Sequence, residues 1–324
     1  MTVDSAIALD KPIAVHPELV QGHEGFAPST GSGQAKLSPN GLRKSETVAS
    51  PLLQARGLGL SLPDIPNKPF FGAAPMKRIL HDVSFSLDTG GTLGVIGESG
   101  SGKSTLARVL TMLMPPQVGD VLFQGRPVGA FTTNELVAYR SQVQLVFQDP
   151  MSSLNPRRRV AAIVTQPLRA RGKLSRADDA ARQAAQLLER VGLSPQLAGR
   201  YPHELSGGQR QRVGIARALA LQPLALIADE VSSGLDVSAQ ARIVALLDQL
   251  RRDHGLALIF ISHDLSLVRN LCDQVLILRQ GEVVEQGESA RIFAQPQHAY
   301  TRELLDAIPL PEPDPGWLER EVAA

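Results

Sequence analysis

The sequence predicts an α/β fold, a sheet of buried strands interleaved with helices and carrying a helical insertion. Three observations predict it. Short apolar runs at 92–96, 224–228 and 257–262 read as strands and alternate with stretches of helical periodicity. A glycine-rich turn, GESGSGKST at 97–105, joins the first of these runs to a helix. A long block after residue 150, rich in Ala, Leu and Gln, interrupts the alternation and reads as a helical subdomain.

Taken in order, residues 1–50 are dominated by Gly, Ser, Pro and Thr, as in GHEGFAPSTGSGQAKLSPNG, with Phe26 as their only aromatic. Such a segment buries too little apolar surface to offset the entropy of ordering, so a flexible extension is expected. Ordered structure is expected from about Pro51. Ile79–Leu87 alternates as a strand does, Asp88–Gly91 turns the chain, and Thr92–Ile96 forms the next strand. Leu106, Val109, Leu110 and Leu113 recur at helical spacing over 103–114, and Pro115-Pro116 stops that helix. Further strands are expected at 120–123, 143–147 and 274–279. Helices are expected at Val160–Arg171 and Arg176–Val191 within the insertion, which spans about 150–222. There is no internal repeat.

The chain has 324 residues, is 43% hydrophobic and carries a net charge of +1 from 33 basic and 32 acidic residues. That balance gives no electrostatic case for nucleic acid as a partner. Cys272 is the only cysteine, which excludes a disulfide framework and a Cys-rich metal or iron–sulfur site. No apolar run is long enough to span a bilayer, and the first twenty residues do not read as a signal peptide.

The turn at 97–105 has the G-x-x-x-x-G-K-[ST] spacing in the strand–loop–helix context that the pattern requires. Gly97, Gly100 and Gly102 permit backbone conformations that side chains block, so the N–H groups of Gly97, Glu98, Ser99, Gly100, Ser101, Gly102, Lys103, Ser104 and Thr105 can converge on phosphate oxygens. The following helix turns its positive end to the same anion. Lys103 supplies a point charge for the terminal phosphates, and the Ser104 hydroxyl can ligate Mg²⁺. The expected ligand is therefore ATP with Mg²⁺. A second signal is LALIADE at 224–230, an apolar strand that ends in two carboxylates. Asp229 fits the magnesium-holding role, and Glu230 is placed to polarise an attacking water.

Residues 205–209 read LSGGQ, with Ser206, Gly207, Gly208 and Gln209 opening a predicted helix as another anion site. LSGGQ, the phosphate loop and the Asp-Glu strand together resemble the ATP-binding-cassette (ABC) superfamily, over about Pro51 to Pro311. The resemblance implies a P-loop cassette with a RecA-like core, an antiparallel β subdomain and the inserted helical subdomain, occupying 51–295. It also implies that the LSGGQ segment of one cassette closes over ATP held by a second cassette. Carried over singly, Gln148 in VFQDP matches the glutamine that contacts Mg²⁺ and the nucleophilic water. His263 in ISHD matches the histidine at the γ-phosphate. Asp236 in SGLD matches the loop that couples the two sites, and it can also cap the helix beginning near Ser238. Glu230, His263, Gln148 and Lys103 are thus the implied catalytic group, and Ser104, Gln148 and Asp229 the implied metal ligands.

Two positions depart from the pattern. Val231 stands where many relatives have Pro, and Leu62 falls near the place of the adenine-stacking aromatic, with Phe70 or Phe71 as substitutes. FQDPMSSLNPR (147–157), TLGVIGESGSGKST (92–105) and HAYTRELLDAIPLP (298–311) further resemble the oligopeptide/dipeptide/nickel importer group, which makes 296–324 an importer-type tail. That likeness implies two membrane-spanning permease subunits, a second ATPase subunit and, indirectly, an extracytoplasmic substrate-binding protein. The chain would then sit peripherally at the cytoplasmic face of the inner membrane. The alternative is a soluble ABC ATPase acting on nucleic acid or ribosomes.

Overall fold

The computed structural model describes residues 50–66, 72–149, 153–174 and 177–307. The expected extension at 1–50 lies outside them save for Ser50, as do Phe70, Phe71 and the tail beyond residue 307.

Two sheets organise the described chain. The first is antiparallel. It is built from β1 (Leu53–Pro63), β2 (Met76–Leu87), β4 (Val118–Phe123) and β5 (Arg126–Pro127) in the order β2-β1-β4-β5. β1 was not foreseen. Its Leu53, Ala55, Leu58 and Leu60 point to the core, but Gly57, with φ of 58°, puts a bulge into the alternation and breaks the simple period. The second sheet holds β3 (Thr92–Ile96), β6 (Val143–Val146), β7 (Ala225–Asp229), β8 (Ala257–Ile261), β9 (Gln274–Arg279) and β10 (Glu282–Glu288), in the order β10-β9-β3-β8-β7-β6. Its strands run parallel from β9 to β6, and β10 closes the edge antiparallel to β9. β3, β7 and β8 are buried along their whole length, as strands covered on both faces must be, which is why they read as unbroken apolar runs.

One apolar core lies between the antiparallel sheet and the parallel one and takes in α1 (Lys103–Leu110) and Tyr139 of α2 (Thr133–Gln142). α1 stops four residues short of the predicted end. Thr111 bonds back to the carbonyls of Ala107 and Arg108, and Met112 turns left-handed (φ 54°) before Pro115 is reached. The other core joins the opposite face of the parallel sheet to the helical insertion. There the helix expected at Val160–Arg171 is two short ones, α3 (Val160–Val164) and α4 (Gln166–Ala170). Pro167 cannot donate a backbone hydrogen bond, so the helix breaks at Thr165, two residues before it. α5 (Ala177–Arg190) and α6 (Gly207–Leu219) complete the insertion. α7 (Val237–His254), α8 (Leu265–Leu271), α9 (Ser289–Ala294) and α10 (Ala299–Asp306) follow the later strands. Among the described residues no helix is long and apolar enough to cross a membrane.

The strand order fixes the place of the site. β3, β8, β7 and β6 are consecutive neighbours and parallel, so their C-terminal ends open on one edge. In parallel sheets that edge is where ligands are bound.

Candidate active site

Each of those four strand ends delivers a predicted residue. β3 runs into the loop at 97–105, β6 is followed by Gln148, β7 ends at Asp229 with Glu230 next, and β8 is followed by Ser262 and His263.

The loop is anchored at its root. A Cβ at Gly97 would lie 2.1 Å from the Leu278 carbonyl oxygen, so only glycine lets β3 leave the sheet here against β9. Gly102 caps α1 with φ of 106°, and a Cβ there would stand 2.9 Å from the Ile79 oxygen. Lys103 is buried and bends back over the loop, its Nζ donating to the carbonyls of Gly97 (2.7 Å) and Glu98 (2.8 Å). Burial pulls its pKa below the ordinary lysine range, against the opposing charges of Glu230, Asp229 and Glu98. Ser101 Oγ is buried in the loop without a hydrogen-bond partner. Ser99 and Gly100 are exposed at the tip, and Thr105 is half-buried in α1.

Opposite the loop, Ser104 Oγ donates to Asp229 Oδ1 at 3.1 Å. Burial raises the Asp229 pKa, the Ser104 hydrogen bond opposing it. Glu230 accepts from Gln148 Nε2 at 2.6 Å, while Lys103 Nζ lies 3.9 Å and His263 Nδ1 3.8 Å from its two carboxylate oxygens. Glu230 itself sits in the left-handed region (φ 47°), held by its N–H to the Ile261 carbonyl and by its carbonyl accepting from Ser233 N and Oγ. Lys103, Ser104, Gln148, Asp229, Glu230 and His263 are therefore one connected cluster. The arrangement can hold an anion over the loop and present a carboxylate to it.

The oxygens of Ser104, Asp229 and Gln148 are hard donors, which suit Mg²⁺ better than a soft metal. Among the described residues no group of three or more His, Cys, Asp or Glu forms a metal cage. A cation here would complete its shell with water and phosphate oxygens, the usual habit of Mg²⁺.

The LSGGQ segment is elsewhere. Ser206 caps α6, its Oγ accepting from Gln209 N while Gln209 Oε1 accepts from Ser206 N, a reciprocal capping box. Ser206, Gly207, Gly208 and Gln209 line a cavity of about 470 Å³ shared with Asp236 and Arg212. None of residues 97–105 lines it. Asp236 caps α7, accepting from Ala239 N (2.8 Å) and Ser238 Oγ (2.6 Å), so its capping role is realised. Val231 is buried in the core, and Leu62 is half-buried on β1 opposite Lys77.

Two supports of the loop were not read from the sequence. Gly281, in the turn between β9 and β10, donates its N–H to the Ser101 carbonyl (2.9 Å). Glu98 N–H donates to the hydroxyl of Tyr300 on α10 (3.1 Å). Tyr300 lies in the HAYT stretch whose likeness to importer tails was visible, but nothing in its spacing pointed to the loop.

Comparison with known proteins agrees with this geometry. The family model described as ABC transporter matches residues 80–233. A probable peptide ABC transporter ATP-binding protein, y4tS of Sinorhizobium fredii, is 50% identical over 247 residues, covering 76% of this chain and 69% of its own length. The glutathione import ATP-binding protein GsiA of Escherichia coli is 44% identical over 285 residues, covering 86% of this chain but only 44% of GsiA. The chain thus spans less than half of GsiA. Among solved structures, CbiO1 from Clostridium perfringens, part of the ABC transporter complex CbiONQ, superposes with a TM-score of 0.63 at 27% identity, over 76% of this chain and 92% of its own. The dimeric post-hydrolysis state of the cassette MJ0796 bound to ADP and Pi gives 0.64 at 26% identity, over 73% and 98%. A phosphate loop facing two carboxylates at the strand ends of a parallel sheet, an LSGGQ helix cap whose cavity the loop does not line, and half-identity to a transporter ATP-binding protein place this chain in the ABC transporter family, among its ATP-binding proteins.

Proposed function

We propose that the chain is the ATP-hydrolysing subunit of an ABC importer that powers uptake of peptides or a related small solute. One observation carries the reading. The phosphate loop and three neighbouring strand ends bring Lys103, Ser104, Gln148, Asp229, Glu230 and His263 together, with Glu230 in contact with Gln148, Lys103 and His263 and Asp229 bonded to Ser104. In this reading the N–H groups of 97–105 and Lys103 bind the β- and γ-phosphates of ATP. Glu230 takes the proton of the attacking water, Gln148 orients both the carboxylate and the water, and His263 donates to the γ-phosphate. Ser104 and Asp229, with Gln148, would hold Mg²⁺, which when bound neutralises charge on the transferring phosphoryl group. Lys103 is held by Gly97 and Glu98 carbonyls in the free loop, so it is pre-aimed and must only exchange acceptors when phosphate arrives.

Ser206–Gln209 and Asp236 would serve a second cassette. Their cavity is lined by none of the chain's own loop residues, so two copies, or this chain and a paralogue, would each complete the other's site. The names of y4tS and GsiA favour the importer over a soluble ATPase on nucleic acid, and suggest peptide-like cargo. On this reading two permeases anchor the subunit at the cytoplasmic face of the inner membrane and a binding protein delivers solute outside. The ATPase domain takes 51–295, the insertion about 150–222 and the tail 296–324. Co-purification of the full chain with candidate permease subunits, and solute uptake that stops in Glu230→Gln, tests the proposal. Full ATP turnover with no permease partner would overturn it.

A further inference from the structure

The phosphate loop carries a support from the far end of the chain that the cassette chemistry does not call for. Glu98 N–H, at the shoulder of the loop, donates to the Tyr300 hydroxyl at 3.1 Å. Tyr300 is buried to 1% exposure, and the Arg279 guanidinium covers its ring at 4.6 Å. Its helix is itself pinned. Glu285 on β10 accepts from the backbone N–H groups of Gln297 (2.9 Å) and His298 (3.1 Å), and His298 Nδ1 accepts from Tyr300 N (3.1 Å) to cap α10. The phenol is thus a fixed acceptor, delivered by the C-terminal helix to one chosen amide of the loop. Lys103 binds the carbonyl of the same residue from the other side, at 2.8 Å.

We propose that Tyr300 is a positioning residue for nucleotide binding, which fixes the peptide plane at Glu98 and so presets the loop for phosphate. The inference rests on the nucleotide reading of the loop and deepens it. A preset loop orders less on binding, and affinity gained this way is lost when the preset is removed. Removing the hydroxyl leaves a buried ring of unchanged shape, one N–H without its acceptor and the Glu98 side chain without its bond to the phenol.

The test is Tyr300→Phe in the full chain, beside Tyr300→Ala. Phe keeps the packing, so melting temperature stays close to the parent while Ala lowers it. In Tyr300→Phe the Kd for a fluorescent ATP analogue with Mg²⁺ rises about 3- to 10-fold, the effect of one net hydrogen bond. The KM for ATP rises with it, more than kcat falls. Hydrogen exchange at the Glu98 amide speeds up in the nucleotide-free protein, a readout independent of turnover. Parental Kd and parental Glu98 exchange in Tyr300→Phe would overturn the positioning role and leave the nucleotide reading intact. Failure of the parent chain to bind the analogue at all would overturn both.

Discussion

Gln148 Nε2 donates to Glu230 Oε2 at 2.6 Å, joining the end of β6 to the end of β7 across 82 residues of chain. The bond ties the carboxylate beside the loop, where Lys103 Nζ lies 3.9 Å from it. An amide at position 230 could accept the same hydrogen bond but could not take a proton from water.

Glu230→Gln should therefore keep its place and lose its chemistry. We expect ATP affinity near that of the parent and a fall in turnover of at least about 10²-fold, the usual contribution of a general base. Phosphate-release kinetics check the rate. Size-exclusion chromatography with ATP should show a trapped dimer, and near-parental turnover would remove Glu230 from its role.

Lys103→Ala removes the side-chain cation that bonds to the Gly97 and Glu98 carbonyls of the loop. A hydrogen bond to a charged group contributes about 1.5–3 kcal/mol, so ATP affinity should fall roughly 10- to 150-fold. Equilibrium binding by calorimetry measures it.

Asp229→Asn should stabilise the nucleotide-free chain at neutral pH while abolishing activity. Burial raises the Asp229 pKa above the ordinary 3.8. The neutral acid is therefore favoured by folding. Its contribution is fully present below the unfolded pKa and is lost as pH rises through the raised folded value. At neutral pH the aspartate is a net cost, which asparagine removes while still accepting from Ser104. The gain should be about 0.5–2 kcal/mol, typical of relieving a strained functional position. It should vanish as pH falls below the unfolded value, and urea melts across that range test the sign.

Gly97→Ala drives a methyl group into the Leu278 carbonyl, 2.1 Å away. Overpacking of this kind costs about 1–3 kcal/mol. The loop must shift at its root, so nucleotide affinity should fall together with the denaturation midpoint. Gly100→Ala, whose Cβ meets nothing within 4 Å, should leave the packing undisturbed and strain only its left-handed backbone (φ 81°), so its midpoint should fall less.

Most of the site was legible because its parts are local. The loop at 97–105, the Asp229-Glu230 pair and the LSGGQ cap each announce themselves within ten residues. β3, β7 and β8 were legible because burial on both faces leaves almost only apolar residues, and β9 because its buried centre, VLIL, does the same. What escaped depends on contacts distant in sequence or on exceptions to a period. β1 hid behind the bulge at Gly57, and β10 is an edge strand whose residues are half-exposed and polar. Tyr300 reaches Glu98 across 202 residues, and no spacing rule encodes such a meeting. The broken helix at Thr165 could have been read from Pro167, since a missing N–H stops a helix whatever surrounds it.

The left-handed backbone at Glu230 has a consequence for what this position can become. Aspartate, asparagine and glycine enter that conformation most readily, and β-branched residues hardly at all. Glutamate is there at a conformational disadvantage, so the position answers to two selections at once, one for a carboxylate of the right reach and one for a tolerated twist. A carboxylate moved by even one residue would stand on ordinary backbone and aim elsewhere. A lineage that abandons hydrolysis at this position no longer needs the carboxylate but keeps the twist, so a glycine or asparagine at 230 would mark a cassette that has kept its clamp and given up its reaction.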